Sequence, residues 1–303
     1  MIRTMTLGEK PAGKPMTPCP PPDFSPKKPR LNLPAGCTDC HFHIYGPSAR
    51  YPYAEARGYT PPDCTMERYR PLMETLGLQR AVLVQPSVYG TDNRAHLDAL
   101  AEGGGIFRMV AVLDDSAGTG EMRRMEEMGV RGIRFNVVTP GGLSMELLED
   151  TAARIAPLGW HIQMFMPLGA IAENEARLAS LPVPLVIDHM GCATPAGLPN
   201  HPGFTAMLRL IGAGNTWVKL SGAYRLSAEP TPPFSDMAPI AQALIAANPE
   251  RMIWGSDWPH PMVIDRPMPN DGDLLDLLSD WAPQESMCNR ILVDNPARLY
   301  RFD

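Results

Sequence analysis

The chain has 303 residues, 44% hydrophobic and 20% charged, with a net charge of −6. That length supports one large domain with a substantial core, or two ordinary ones. The mild acidity excludes nucleic acid as a principal partner, since such a face needs clustered Lys and Arg, and no apolar run reaches the roughly 18–20 residues of a membrane span. Six cysteines in a chain this long do not make a disulfide framework. With no apolar leader at the N-terminus, the expected setting is reducing and cytoplasmic. Cys37 and Cys40 form a C-x-x-C without a second pair and read as small residues flanking a strand.

Residues 1–34 are crowded with proline ("PCPPPDFSPKKP") and carry neither helical nor strand period. They read as an extended Pro-rich N-terminal arm, with Lys27-Lys28-Pro29-Arg30 as a solvated linker, preceding a domain over 35–303. The first strand lies in "TDCHFHIYGP". Strand side chains alternate, so His41 and His43 project from one face, and strict alternation adds Asp39 to them. Thr65 is placed to cap a helix that carries Tyr69, Leu72, Met73 and Leu76 on one side. The second strand is "AVLVQPS", ending at Ser87, with Asp92 or Asn93 placed to cap the helix that follows.

"MVAVLDD" and "GIRFNVV" supply the third and fourth strands, the latter ending on Arg134 and Asn136. Ser144 is placed to cap a helix with Leu147, Leu148, Thr151 and Ile155. "HIQMFMP" is the fifth strand, begun by His161 at the end remote from the other polar residues. "PLVIDHM" ends the sixth on His189, and "TWVKLSG" carries Lys219 and Ser221, with Arg225 just beyond. Ser235 is placed to cap a helix with Ile240, Ala241, Leu244 and Ile245, stopped by Asn248-Pro249. "MIWGSDW" is the eighth strand, followed by Asp257 and His260.

Strands apolar on both faces, alternating with helices, mean a parallel sheet covered by helices. Eight of them after the arm fit a closed (β/α)8 TIM-type barrel better than an open sheet. Neither G-x-G-x-x-G nor G-x-x-x-x-G-K is present to support a nucleotide fold. In a barrel the C-terminal strand ends share one face, so His41, His43, His189 and Asp257 converge there. Neutral imidazoles with a carboxylate suit either a divalent metal site or general-base chemistry. Set between Trp254 and Trp258, Asp257 is expected to have a raised pKa through desolvation. Arg134 and Arg225 require an anionic partner, either a protein carboxylate or a substrate carboxylate.

On "TDCHFHIYGP", "YPYAEARGYTPPD", "VQPSVYGTDN", "GVRGIRFN", "VPLVIDHMG", "MIWGSDWPHP" and "LVDNPARLY", the chain resembles the amidohydrolase superfamily. The likeness is greatest to the branch of pyrone-dicarboxylate lactonases and covers nearly everything after the arm. It implies a distorted (β/α)8 barrel that hydrolyses an acidic lactone, bearing carboxylate or sulfonate, in aromatic or sugar-acid catabolism. It makes His41, His43, His189 and Asp257 catalytic, and Tyr59, Ser87, Arg134, Arg225 and His260 substrate contacts. It implies at most one divalent ion, zinc or manganese, on His41, His43, His189 and Asp257, or catalysis without any. Three family polar positions have become Pro140, Phe165 and Met262. Each lost hydrogen bond to a charged group is worth roughly 1.5–3 kcal/mol, so a pyrone dicarboxylate is not expected to be the best substrate.

The competing readings are a metal-dependent non-oxidative decarboxylase, a lactone isomerase, and a non-catalytic ligand-binding barrel. A homo-oligomer with the arm swapped onto a neighbour stays open.

Overall fold

The computed structural model describes residues 17–198 and 200–302; residues 1–16 of the proline-rich segment lie outside that range. All eight expected strands form: β1 (Thr38–Phe42), β2 (Arg80–Val84), β3 (Phe107–Ala111), β4 (Val130–Asn136), β5 (His161–Phe165), β6 (Leu185–Ile187), β7 (Thr216–Leu220) and β8 (Met252–Trp254). They pair in sequence order and in parallel from β1 to β8. The principal helices are α1 (Met66–Leu76), α2 (Arg94–Ala101), α3 (Thr119–Met128), α4 (Leu148–Ile155), α5 (Leu168–Ala179), α6 (Pro202–Gly212), α7 (Ala238–Ala247) and α8 (Asp271–Trp281).

The barrel closes between β1 and the residues after β8, through a parallel bridge from Phe42 to Trp258. His43 N donates to Trp258 O and Asp257 N to His41 O, each at 2.8 Å. Gly255 permits this approach: a Cβ there would lie 2.6 Å from His41 Cβ. The seam therefore sets Asp257 beside the two histidines of β1, although more than two hundred residues separate them.

Inside the barrel, Cys40, Val82, Val110, Val186 and Ile253 pack with Leu299, Tyr300 and Phe302, which plug the N-terminal end. His161 meets Tyr300 edge-on there, ring centroids 5.4 Å apart, away from the other histidines. The outward strand residues pack against the helices in the larger apolar core.

A register shift in β1 between Asp39 and Phe42 breaks the strict alternation. A bulge sends residues on either side of it to unexpected faces. Cys40 joins the inner cluster, while Phe42 stacks on Tyr69 of α1 at 3.7 Å. Asp39 goes with Phe42, accepting from Tyr69 Oη at 2.9 Å and from Ser256 Oγ at 2.5 Å. It braces the seam and does not join the histidines, which corrects the alternation argument.

The capping expectations divide. α1 buries Tyr69, Leu72, Met73 and Leu76 as its spacing requires, but Thr65 makes no side-chain cap bond. Ser144 does accept from Glu146 N, at the head of a one-turn 3₁₀ segment that leads into α4. Ser235 is not a cap: it opens a 3₁₀ turn whose last residue, Met237, precedes α7. Its hydroxyl bonds Glu229 instead. The basic run near residue 28 is docked rather than loose, since Lys27 pairs with Asp273 at 2.6 Å and Arg30 with Asp276 at 3.0 Å. No helix among the described residues is long and apolar enough to cross a membrane.

Candidate active site

Three imidazole Nε2 atoms, from His41, His43 and His189, each lie 3.7 Å from one oxygen, Asp257 Oδ1. All four side chains are almost wholly buried. The other oxygen, Oδ2, accepts from Tyr224 Oη at 2.6 Å and from Arg225 Nε at 2.8 Å. Asp257 is thus held by one oxygen and presents the other to the histidines.

The loops that carry these groups are strained. Among the described residues, eight non-glycine residues have positive φ, and six of them are His189, Met190 and Cys192 after β6, and Asp257, His260 and Met262 after β8. Each costs of order 1–3 kcal/mol and persists only where the surroundings over-determine it.

The tautomers follow from the partners. His43 Nδ1 meets the carbonyl of Val84 at 2.6 Å. A carbonyl only accepts, so Nδ1 carries the proton and Nε2 is bare. His41 Nε2 lies 3.3 Å from that bare nitrogen. Two bare nitrogens at this distance repel, so either His41 Nε2 carries a hydrogen or a cation sits among them. Partners for both states are in place behind His41 Nδ1: Lys219 Nζ at 3.2 Å as donor, and Asp188 Oδ1 at 3.3 Å as acceptor. His189 Nδ1 is held by Ser221 Oγ at 2.8 Å. Such partners on the far ring nitrogen are how proteins aim histidine ligands. Together with the clustering of His41, His43 and Asp257, this donor set suits a divalent ion.

Beneath the histidines lies a buried charged layer. Arg134 donates through Nε and Nη2 to Asp188 Oδ2, both at 3.3 Å, and through Nη1 to Gln85 O at 3.1 Å. Lys219 Nζ donates to Gln163 Oε1 at 2.8 Å and lies 3.4 Å from Asp188 Oδ1. Arg134, 5% exposed, therefore has a protein carboxylate as its partner, whereas Arg225 is 23% exposed at the mouth. Of the remaining candidate contacts, Tyr59 bonds the Tyr45 hydroxyl at 3.0 Å, Ser87 the Thr139 hydroxyl at 3.1 Å, and His260 Nε2 Asp271 Oδ1 at 3.1 Å. A cavity of about 900 Å³ lies elsewhere, lined by Arg30, Leu33, Asp280 and Cys288, and holds none of these groups.

The sequence pattern gives no role to Asp188, Gln163 or Tyr224, and it places Lys219 at a strand end without one. The available signal was Lys219 itself, alternating with Trp217 in a buried strand, where a lysine demands a counter-charge.

Burial and the charged neighbours set the protonation states. Burial, with Lys219 adding to it, keeps His41 well below the usual histidine range, and burial with Arg134 nearby lowers His43 to about 3. Burial also lowers His189. For Asp257, burial alone would raise the pKa, but His189, Arg225, His41 and His43 outweigh it and hold the carboxyl well below its ordinary range. Of these four, Arg225 keeps its charge at neutral pH. The raised pKa expected from the flanking tryptophans is therefore reversed in sign: Asp257 is a carboxylate throughout the neutral range.

His96 and His161 are likewise lowered by burial, His161 to about 3, so five of the seven histidines are buried and neutral. An unfolded chain protonates them near pH 6.5 and the folded one does not, so acid favours unfolding. Asp39, which burial pushes up to about 6, acts the other way as one group against five. The urea midpoint is expected to fall steadily from pH 6.5 to pH 4.5, followed by tryptophan fluorescence. A midpoint constant over that interval would contradict neutral burial of these rings.

The comparisons with known proteins agree with this geometry. The amidohydrolase family model matches residues 38–302. A 4-sulfomuconolactone hydrolase of Hydrogenophaga intermedia is 39% identical over 276 residues, covering 89% of this chain and 90% of that protein. A 2-pyrone-4,6-dicarboxylate hydrolase of Comamonas testosteroni is 37% identical, covering 91% and 93%. An apo crystal structure from Agrobacterium tumefaciens superposes with a TM-score of 0.83 at 30% identity, covering 91% of this chain and 99% of that one. With a barrel of eight parallel strands, histidines on the first and sixth, an aspartate after the eighth, and a match over almost the whole described length, the chain belongs to the amidohydrolase family.

Proposed function

We infer that the protein is a lactonase, opening the ring of an acidic lactone of the sulfonated or carboxylated muconolactone class by attack of water. The observation that carries this reading is the divided use of Asp257: Oδ2 is fixed by Tyr224 and Arg225, and Oδ1 faces three imidazoles. Relatives 37–39% identical are hydrolases of 4-sulfomuconolactone and of 2-pyrone-4,6-dicarboxylate, which supports it.

In the reaction, a water beside Asp257 Oδ1 gives it a proton while its oxygen bonds the lactone carbonyl carbon. The carbonyl π pair moves onto oxygen, where N–H donors of the imidazole cluster stabilise the developing charge. Collapse of the adduct breaks the ring C–O bond, and Asp257 returns its proton to the leaving alkoxide. The product is a ring-opened hydroxy acid. Arg225 uses Nε on Asp257, and its terminal nitrogens, at the partly exposed mouth, take the substrate's carboxylate or sulfonate and turn the carbonyl toward the water. A zinc or manganese ion, when bound, would be held by His41, His43, His189 and Asp257 and would supply Lewis acidity.

The test is proton release, followed with a pH indicator, from 4-sulfomuconolactone, muconolactone and 2-pyrone-4,6-dicarboxylate, with and without EDTA. Acid is expected from the muconolactones faster than from the pyrone dicarboxylate, because Pro140, Phe165 and Met262 offer that substrate no charged partner. Activity that survives EDTA assigns the carbonyl to protein donors alone; activity lost and restored by zinc or manganese assigns an ion to the cluster. Silence from every lactone with either metal present would sink the reading, and release of CO2 in place of acid would put a decarboxylase in its stead.

A further inference from the structure

The first described residues of the chain reach the mouth of the site from outside the barrel. Thr17 and Pro18 pair in parallel with Tyr59 and Thr60, and Cys19 N donates to Thr60 O at 2.9 Å. On its other side, Cys19 Sγ accepts from Met262 N at 3.4 Å. Cys19 therefore ties the loop after β1 to the loop after β8, the two loops that carry Tyr59 and Met262. Burial raises the pKa of its half-buried thiol, offset in part by the bond from Met262 N and by the Arg225 charge.

The segment behind Cys19 is fastened to α8. Asn270 Oδ1 accepts from Lys27 N at 2.9 Å, and Asn270 Nδ2 donates to Asp23 Oδ2 at 2.8 Å and Ser25 O at 3.1 Å. Asp276 Oδ1 accepts from Arg30 N at 2.8 Å and Leu31 N at 3.1 Å. Gly272 completes the seat, since a Cβ there would lie 2.2 Å from Lys27 O. Side chains that accept backbone N–H groups fix a segment with no helix or sheet of its own. Cys19 is held in place from both directions.

We propose that Cys19 is a specificity-determining residue, by which the proline-rich arm supplies one wall of the substrate pocket opposite the barrel. This rests on the lactonase reading and extends it to the shape of the substrate. Cys19 thus stands between the Tyr59–Thr60 strand and the backbone of Met262. The lactone edge that enters between Cys19, Met262 and Tyr59 is small and uncharged, while the anionic groups go to the Arg225 side.

The experiment replaces Cys19 by Ala, Val and Phe in the full chain and measures kcat and KM for 4-sulfomuconolactone and muconolactone. KM is expected to rise with side-chain volume, at least tenfold from Ala to Phe, with a much smaller change in kcat. A residue that merely secured the fold would change stability or kcat without that grading. A second measurement needs no substitution at Cys19: methyl methanethiosulfonate labelling of each cysteine is read by peptide mass spectrometry in Asp257→Asn protein. 4-Sulfomuconolactone should slow labelling of Cys19 at least fivefold. KM flat across the series, or Cys19 labelled equally fast with the lactone bound by calorimetry, would overturn the proposal. Absence of turnover in the unaltered enzyme would instead overturn the lactonase reading, so the two failures are distinct.

Discussion

Asp257→Asn abolishes turnover, with kcat lower by about three to four orders of magnitude, the upper range for loss of a general base. The amide is isosteric, and its carbonyl oxygen, placed where Oδ2 sits, still accepts from Tyr224 and Arg225. Its NH₂ then faces the imidazole Nε2 atoms, where a bare nitrogen can accept from it. Neither the seam nor the mouth needs to move. Lactone affinity by calorimetry should therefore stay within about threefold of the unaltered protein. The substrate's anion meets Arg225 with one negative charge fewer beside it, which does not weaken the contact. The split between kcat and affinity is the informative result. Near-normal turnover would remove Asp257 as the base and turn attention to the histidines. A collapse of affinity together with kcat would mean that Asp257 chiefly organises Arg225.

The barrel is legible in the sequence because its strands are buried on both faces, so each reads as an apolar run whatever its register. The four converging residues are legible for a related reason: the C-terminal ends of parallel strands meet wherever they fall in the chain. What escapes depends on local irregularity and on distant partners. Asp39 follows period two with His41 and His43, and only the bulge before Phe42 turns it toward Tyr69. The pKa of Asp257 looks raised when only Trp254 and Trp258 are in view. The groups that reverse the sign lie far along the chain, His189 after β6 and the Arg225 guanidinium 32 positions away. Lys219 meets His41 across 178 positions and Asp188 from the neighbouring strand, and no short window holds both halves of either contact. The Ser235 cap fails for a local reason, because a 3₁₀ turn intervenes before α7 and displaces the cap position.

Asp188→Asn is expected to destabilise the fold by about 3–5 kcal/mol, the range for leaving a buried charge without its partner. Asp188 is fully buried. Burial would raise its pKa, but Lys219, His41 and Arg134 together hold it well below the ordinary carboxylate range. Its depressed pKa therefore contributes stability above about pH 3.9, and that contribution is lost as pH falls through the folded value. Removing the charge leaves two buried cations, Arg134 and Lys219, with no carboxylate between them. It also sets an amide N–H against donors unless the group turns. Lys219 can respond by releasing its proton, which burial already favours by lowering its pKa; Arg134 cannot. Lys219→Met on the Asp188→Asn background should accordingly recover part of the loss, although Lys219→Met alone removes the donor behind His41 Nδ1 and the bond to Gln163. The double-mutant cycle is predicted to give a coupling of at least about 1 kcal/mol, within the range for residues of one network. Urea unfolding of the four proteins at pH 7.5 reads it directly. Additive losses would mean that Asp188 and Lys219 do not act as a charge pair, and that the layer beneath the histidines is held by packing alone.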